Sequence, residues 1–355
     1  MQLRGNNIVT YLRTESDGCK GLQMFRIENM TLQRASAYSG EFTAGARKRM
    51  IKAINLLVKG TERRWVTNPI NNQRQLHQLS FVTLTISDTG ELLDPVTAYK
   101  KLLSPFISWL RKTKEVNTYL WRYERQKNGQ IHYHLTLPNF IHYKEIREKW
   151  NKLQAKAGII AKYRENQKAW HQDGFRLRED LLEEWPEDRQ RAAYERGVKN
   201  DWSDPNSTDV HKVYKIKDLA AYLSKEFGKT VQNPKNRQYY ADLLEEDLPR
   251  MQAEGDHRKY IEMLKLASLS GKVWDCSENL SQGKYYSVEM KQEQYEFLER
   301  SCKEGLCERY EGEMFCIYKF KKDPVREALL TKEDLKQYKA WLYVLRESIK
   351  FEDPQ

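Results

Sequence analysis

His132 and His134 flank a single tyrosine in the run Ile131-His-Tyr-His-Leu-Thr-Leu137. In an extended strand, residues i and i+2 project from the same face, so both imidazoles point one way with Cβ atoms about 7 Å apart. That spacing suits two ligands of one metal ion. An isolated pair of this kind is more often two ordinary histidines on a half-exposed strand, so a third donor is needed. Glu124 lies upstream, across Lys127-Asn128-Gly129-Gln130, and Asn-Gly is a strong hairpin signal. A two- or four-residue loop sets Glu124 opposite Tyr133, on the wrong face. A three-residue loop with a glycine bulge sets it opposite His134, on the imidazole face, completing a two-histidine, one-carboxylate set. Asn128-Gly129 suits the bulged turn, and Gln126 would share that face as a reserve ligand.

A second chemical feature follows in Ile216-Lys-Asp-Leu-Ala-Ala-Tyr-Leu-Ser-Lys-Glu-Phe227, which reads as a helix. Its apolar stripe is Ile216, Leu219, Ala220, Leu223 and Phe227. Tyr222 falls off that stripe and aligns with Lys215, Asp218, Lys225 and Glu226. A tyrosine on a charged face can present its hydroxyl as a nucleophile, with Lys225, one turn on, stabilising phenolate or phosphate charge. The chain has 21 tyrosines, and any one of them is more often a side chain with only its tip in water.

Other segments must position these groups. Phe81-Val-Thr-Leu-Thr-Ile86 is a β-branched run that reads as a buried strand. Helices are expected over 44–59, 95–111 and 143–157, and a β-hairpin over 118–137. The 44–59 helix has an apolar stripe of Met50, Ile51, Ile54, Leu57 and Val58, with Thr43 as its cap. Between Glu41 and Leu76 stand eight basic residues against two acids, a solvated face or a phosphate-contacting arm. Residues 158–210 are charged and tryptophan-spotted, and read as a helical insertion ending in a turn-rich cluster at 204–209. His211 reads as turn-capping and His142 as a surface side chain. Beyond 231 the pattern is mostly helical, with one hairpin around Glu311-Gly312-Glu313.

Composition narrows the function classes. The chain has 355 residues, enough for two or three folded units, and carries 61 Lys and Arg against 50 Asp and Glu, a net charge of +11. That excess favours a polyanionic partner, and abundant tyrosine and tryptophan lean the choice towards single strands, whose bases stack on aromatic rings. A mean hydropathy of -0.84 and the lack of any long apolar run exclude a membrane channel. The N-terminus lacks the apolar core of a secretory signal, so the expected location is a cytoplasm, that of a bacterial host. The five cysteines form no CxxC pair, which argues against zinc and for reduced structural thiols. No HExxH is present, and Gly228-Lys-Thr230 lacks the upstream glycine of a phosphate-binding loop, since Leu223 stands there.

Taken in order, Phe81-Val-Thr-Leu-Thr, His132-Tyr-His134 and Tyr222-Leu-Ser-Lys225 resemble the three motifs of the HUH endonuclease superfamily. More closely, they resemble single-tyrosine rolling-circle replication initiators of single-stranded DNA phages, viruses and small plasmids. The resemblance covers about 81–229, and Gly271-Lys-Val-Trp-Asp-Cys-Ser277 is similar to a stretch beyond the nuclease core of some phage initiators. It implies an α+β fold, with a central antiparallel sheet, flanking helices and the histidine pair on a middle strand. It also implies Mg²⁺ or Mn²⁺ held by His132, His134 and Glu124, with Glu124 where related initiators place their acidic ligand. Tyr222 would then be the nucleophile, assisted by Lys225. The expected substrate is single-stranded DNA at an origin hairpin, with host helicase and polymerase as partners. The expected domains are an N-terminal arm (1–76), the endonuclease domain (77–230) and a mostly helical region (231–355). A plasmid relaxase or single-tyrosine transposase would share the chemistry. A non-catalytic single-strand-binding protein would need neither the Glu124 and histidine set nor the Tyr222 and Lys225 pair.

Overall fold

The structure, a computed structural model, describes residues 1–4, 7–11, 44–68, 72–125, 130–179, 182–183, 185–213, 272–312, 315–320 and 329–349. In chain order, strands β1 (Gln2–Arg4) and β2 (Asn7–Tyr11) precede helix α1 (Ala44–Gly60), followed by β3 (Arg64–Thr67), β4 (Arg74–His77) and β5 (Leu79–Thr85). Helices α2 (Pro95–Ala98) and α3 (Ser104–Thr113) come next, then β6 (Leu120–Arg125), β7 (Ile131–Leu137), α4 (Tyr143–Lys156), α5 (Ile159–Trp170), α6 (Glu187–Asn200) and β8 (Thr208–Val213). After these stand β9 (Trp274–Cys276), α7 (Glu278–Gln282), α8 (Gln292–Lys303), β10 (Cys307–Gly312), β11 (Phe315–Phe320) and α9 (Lys332–Ile349).

The chain forms two compact units. One draws on both ends of the chain, from Met1 to Glu62 and from Cys276 onward; the other takes the stretch Arg63–Asp275. In the first, an antiparallel sheet runs in the order β1-β2-β11-β10, with Ile8 opposite Tyr318 and Val9 opposite Ile317. Leu3, Ile8, Leu298, Tyr318 and Phe320 make its core. The N-terminal strands therefore pair with the C-terminal hairpin instead of standing as an arm, and the C-terminal region contributes strands as well as helices. On α1, Met50, Ile54 and Leu57 are buried as expected, but Leu56 is buried and Val58 exposed, so the stripe is rotated from the expected one.

The second unit is built on a five-stranded sheet in the order β8-β5-β7-β6-β9, whose described pairings among β8, β5, β7 and β6 are antiparallel. It is α+β, and β7 is its middle strand. Alternation along the strands separates two faces. Val82 and Leu84 on β5, Tyr133 and Leu135 on β7, and Trp121 and Tyr123 on β6 join Leu102, Phe106, Leu110, Ile146 and Trp150 in one core. The indole N–H of Trp150 donates to the Thr85 carbonyl at 2.7 Å, which ties α4 to the end of β5. The expected single helix over 95–111 is interrupted by a π-helical turn at Tyr99–Leu103. Pro105 is the physical cause, since it has no N–H to donate and its ring crowds the carbonyl four residues back.

Two local readings are corrected. His142 is buried, not on the surface, and accepts from the Lys144 N–H as the N-cap of α4. His211 caps no turn, because it lies within β8, opposite Phe81. The expected hairpin turn at 126–129, Thr43 and the helix bearing Tyr222 and Lys225 lie outside the described residues.

Candidate metal and nucleic-acid site

The face of the sheet away from the helices carries the chemistry. Thr83 pairs with His134 and Thr85 with His132 across β5 and β7. Glu124 pairs with His132 and Arg122 with His134 across β6 and β7. Directly opposed residues project from one face, so Thr83, Thr85, Arg122, Glu124, His132 and His134 share it. Asp209 extends the row onto β8, opposite Thr83. The expected register differs in one respect: Glu124 stands opposite His132, not His134. The slip is an even number of residues, so the shared face survives it.

The side chains form a chain of hydrogen bonds. The Nε2 of His134 lies 2.8 Å from Glu124 Oε1, and the Thr83 hydroxyl lies 3.2 Å from His134 Nδ1. An ionised carboxylate can only accept, so Nε2 carries the hydrogen, and in the neutral ring Nδ1 accepts from Thr83. The Arg122 guanidinium donates to Glu124 Oε2 at 2.8 Å. The two imidazoles stack with centroids 4.8 Å apart, and Phe81 stacks on His134 at 5.1 Å.

Burial alone would raise the Glu124 carboxyl. The hydrogen bond from His134 and the charges of Arg122 and the imidazoles overcome it and bring the group from 4.5 to about 2. Burial, with the nearby charges of His134 and Arg122, takes His132 down from 6.5 to about 4, against the opposing pull of Glu124 and Asp209. At neutral pH the site therefore offers an ionised carboxylate beside a neutral His132. Imidazole plus carboxylate is a donor set for a divalent cation, and these residues fit one in type and in shared face. Among the described residues no three His, Cys, Asp or Glu side chains already form a cage, since Glu124 and His134 are hydrogen-bonded to each other.

Sequence reasoning missed Arg122 altogether. Its position two residues before Glu124 on one strand was the available signal. Asp209 was read only as part of a turn cluster. Gln126, Tyr222 and Lys225 lie outside the described residues. The stretch quoted as Gly271 to Ser277 contains β9, which is an edge strand of this same sheet.

Residues 79–231 match the family described as Replication-associated protein ORF2. The match opens at the first residue of β5 and spans every residue of the histidine and glutamate face, together with Tyr222 and Lys225. It supports a replication initiator acting on DNA. No curated protein and no solved structure matches the chain. Among the described residues no helix is long and apolar enough to cross a membrane.

Proposed function

We propose that the chain initiates rolling-circle replication by nicking and rejoining single-stranded DNA at an origin through a covalent tyrosine intermediate. One observation carries the reading: His132, His134 and Glu124 share a face of the central strands, inside the stretch that matches replication-associated proteins. His132, His134 and Glu124 would hold Mg²⁺ or Mn²⁺, which when bound polarises a phosphate oxygen for in-line attack. Arg122 keeps Glu124 ionised and aimed, and Thr83 orients the His134 ring. The Tyr222 oxygen bonds to phosphorus as it gives up its proton. The bond from phosphorus to the 3′ oxygen breaks, and that oxygen takes a proton and leaves as a 3′-hydroxyl for a host polymerase. Lys225 offsets charge at the phosphate. The 5′-phosphotyrosine keeps the phosphodiester energy, so the reverse transfer rejoins the strand without ATP, and a host helicase supplies unwinding.

The test incubates the protein with labelled single-stranded DNA of its own replicon, with and without Mn²⁺, and resolves covalent adducts on a denaturing gel. Wild type should form an adduct only with metal. His134→Ala and Tyr222→Phe should form none, while both still bind the strand, because basic residues supply most of the affinity. An adduct from Tyr222→Phe would misplace the nucleophile, with Tyr214 the next candidate. Binding with no adduct under any condition would replace the reading with a non-catalytic single-strand-binding protein.

A further inference from the structure

The insertion between α4 and β8 encloses a cleft of about 700 Å³ whose wall is rich in aromatic rings and arginines. Pockets of roughly 300–1,000 Å³ are the usual size for small-ligand sites. Part of that aromatic content is packing. Tyr194 lies 4.8 Å from His171 and 6.4 Å from Trp202, ring centroid to centroid. Gly197 is required for that packing, because a Cβ there would meet Trp202 Nε1 at 2.3 Å. The buried Gln190 amide spans the loop, donating to the carbonyls of Arg178 and Trp185 at 3.0 and 2.8 Å and accepting from the Arg178 N–H at 2.9 Å. These contacts give the cleft a fixed wall.

Packing does not account for the rim. Trp170 and Trp185 line the cleft and remain 39% and 40% exposed. The guanidinium carbon of Arg176, also exposed, sits 4.0 Å from the Trp170 ring centroid. An accessible indole face backed by a guanidinium plane is the chemistry that stacks a nucleobase. The cleft also has a defined place on the sheet. Thr85 lines it and is the cross-strand partner of His132, and the Thr85 N–H donates to the Ser207 carbonyl at 2.8 Å. Its wall thus begins at the end of the strand that supports the histidine face.

We propose that this cleft receives an unstacked base of the single-stranded DNA whose phosphate lies at His132, His134 and Glu124. The proposal rests on the function argued above, in taking that strand as the substrate. A base held between Trp170 and Trp185 anchors the strand beside the scissile phosphate, so that phosphate contacts supply charge neutralisation and the cleft supplies register.

The test measures binding of fluorescein-labelled oligothymidylate, and of a fully abasic strand of equal length, by anisotropy. Trp170→Ala and Trp185→Ala should each weaken oligothymidylate binding by about five- to a hundredfold and leave the abasic strand unaffected. Trp170→Phe should retain most of the affinity, and Arg176→Ala, at an exposed side chain, should show the same base-dependent loss without disturbing packing. Equal losses on both strands, or no loss on either, would overturn the proposal. So would displacement of the oligomer by thymidine monophosphate at comparable concentration, which would make the cleft a free-nucleotide site. Adduct formation with replicon DNA and Mn²⁺, measured on the same preparations, separates the two readings. Normal adducts without base-dependent loss sink the cleft alone. Base-dependent loss without any adduct keeps the cleft and sinks the nickase.

Discussion

Glu124→Gln removes the charge that links Arg122 to His134, and the structure sets both its size and its pH dependence. Glu124 accepts from Arg122 and His134, each at 2.8 Å; its side chain is 26% exposed and that of Arg122 only 2%. Its carboxyl is held down from 4.5 to about 2. At about 1.4 kcal/mol per pH unit, and allowing for partial exposure, the ionised carboxylate contributes about 2–3 kcal/mol at neutral pH. A carboxylate whose pKa is lowered by folding stabilises the fold above its unfolded value and loses that contribution as pH falls through the folded one. The gap between wild type and Glu124→Gln should therefore be flat from about pH 8 to about pH 5, then shrink towards about pH 2. Urea unfolding of both proteins across that range, in chelator so that no metal contributes, measures it. A gap below about 0.5 kcal/mol at neutral pH would show that the ion pair does not hold the site. A gap that changes between about pH 6 and pH 8 would place the stabilisation on an imidazole instead.

Three further outcomes are expected. Thr83→Val removes the hydroxyl 3.2 Å from His134 Nδ1 and should lower Mn²⁺ affinity about 10- to 100-fold by titration calorimetry; unchanged affinity would remove Thr83 from the site. Trp150→Phe deletes the donor to the Thr85 carbonyl and should cost about 1–3 kcal/mol in chemical denaturation, with a neutral result showing that the bond is replaced. Gly197→Ala forces a Cβ against the Trp202 indole and should cost about 1–3 kcal/mol and lower the melting temperature; an unchanged melting temperature would show that Trp202 can move.

Much of the site was legible because strand geometry has a period of two. Once 131–137 reads as a strand, His132 and His134 must share a face, and any even register returns Glu124 to it. Register itself was not legible. It depends on how the hairpin closes and on which neighbours the strand meets, and the structure sets Glu124 opposite His132 and Arg122 opposite His134. Burial of Arg122 was invisible for a related reason, since a charged residue reads as surface until a partner such as Glu124 is seen to neutralise it.

Helices with strong periodicity, such as α1 and α4, were set locally by their own apolar spacing, and so was the β-branched strand β5. Long-range pairing was decided by the folded chain alone. Strand β2 meets β11 some three hundred residues away, β9 joins β6 across the 126–271 interval, and Thr208–Val213, too polar to announce itself, becomes a strand because β5 offers a free edge. Backbone hydrogen bonds to a distant strand leave no periodic mark on a sequence. The 158–210 insertion shows the same division. Its charges and tryptophans were plain to read, but only packing around Tyr194, Gly197 and Trp202 separates the rings that form a wall from the two at its rim.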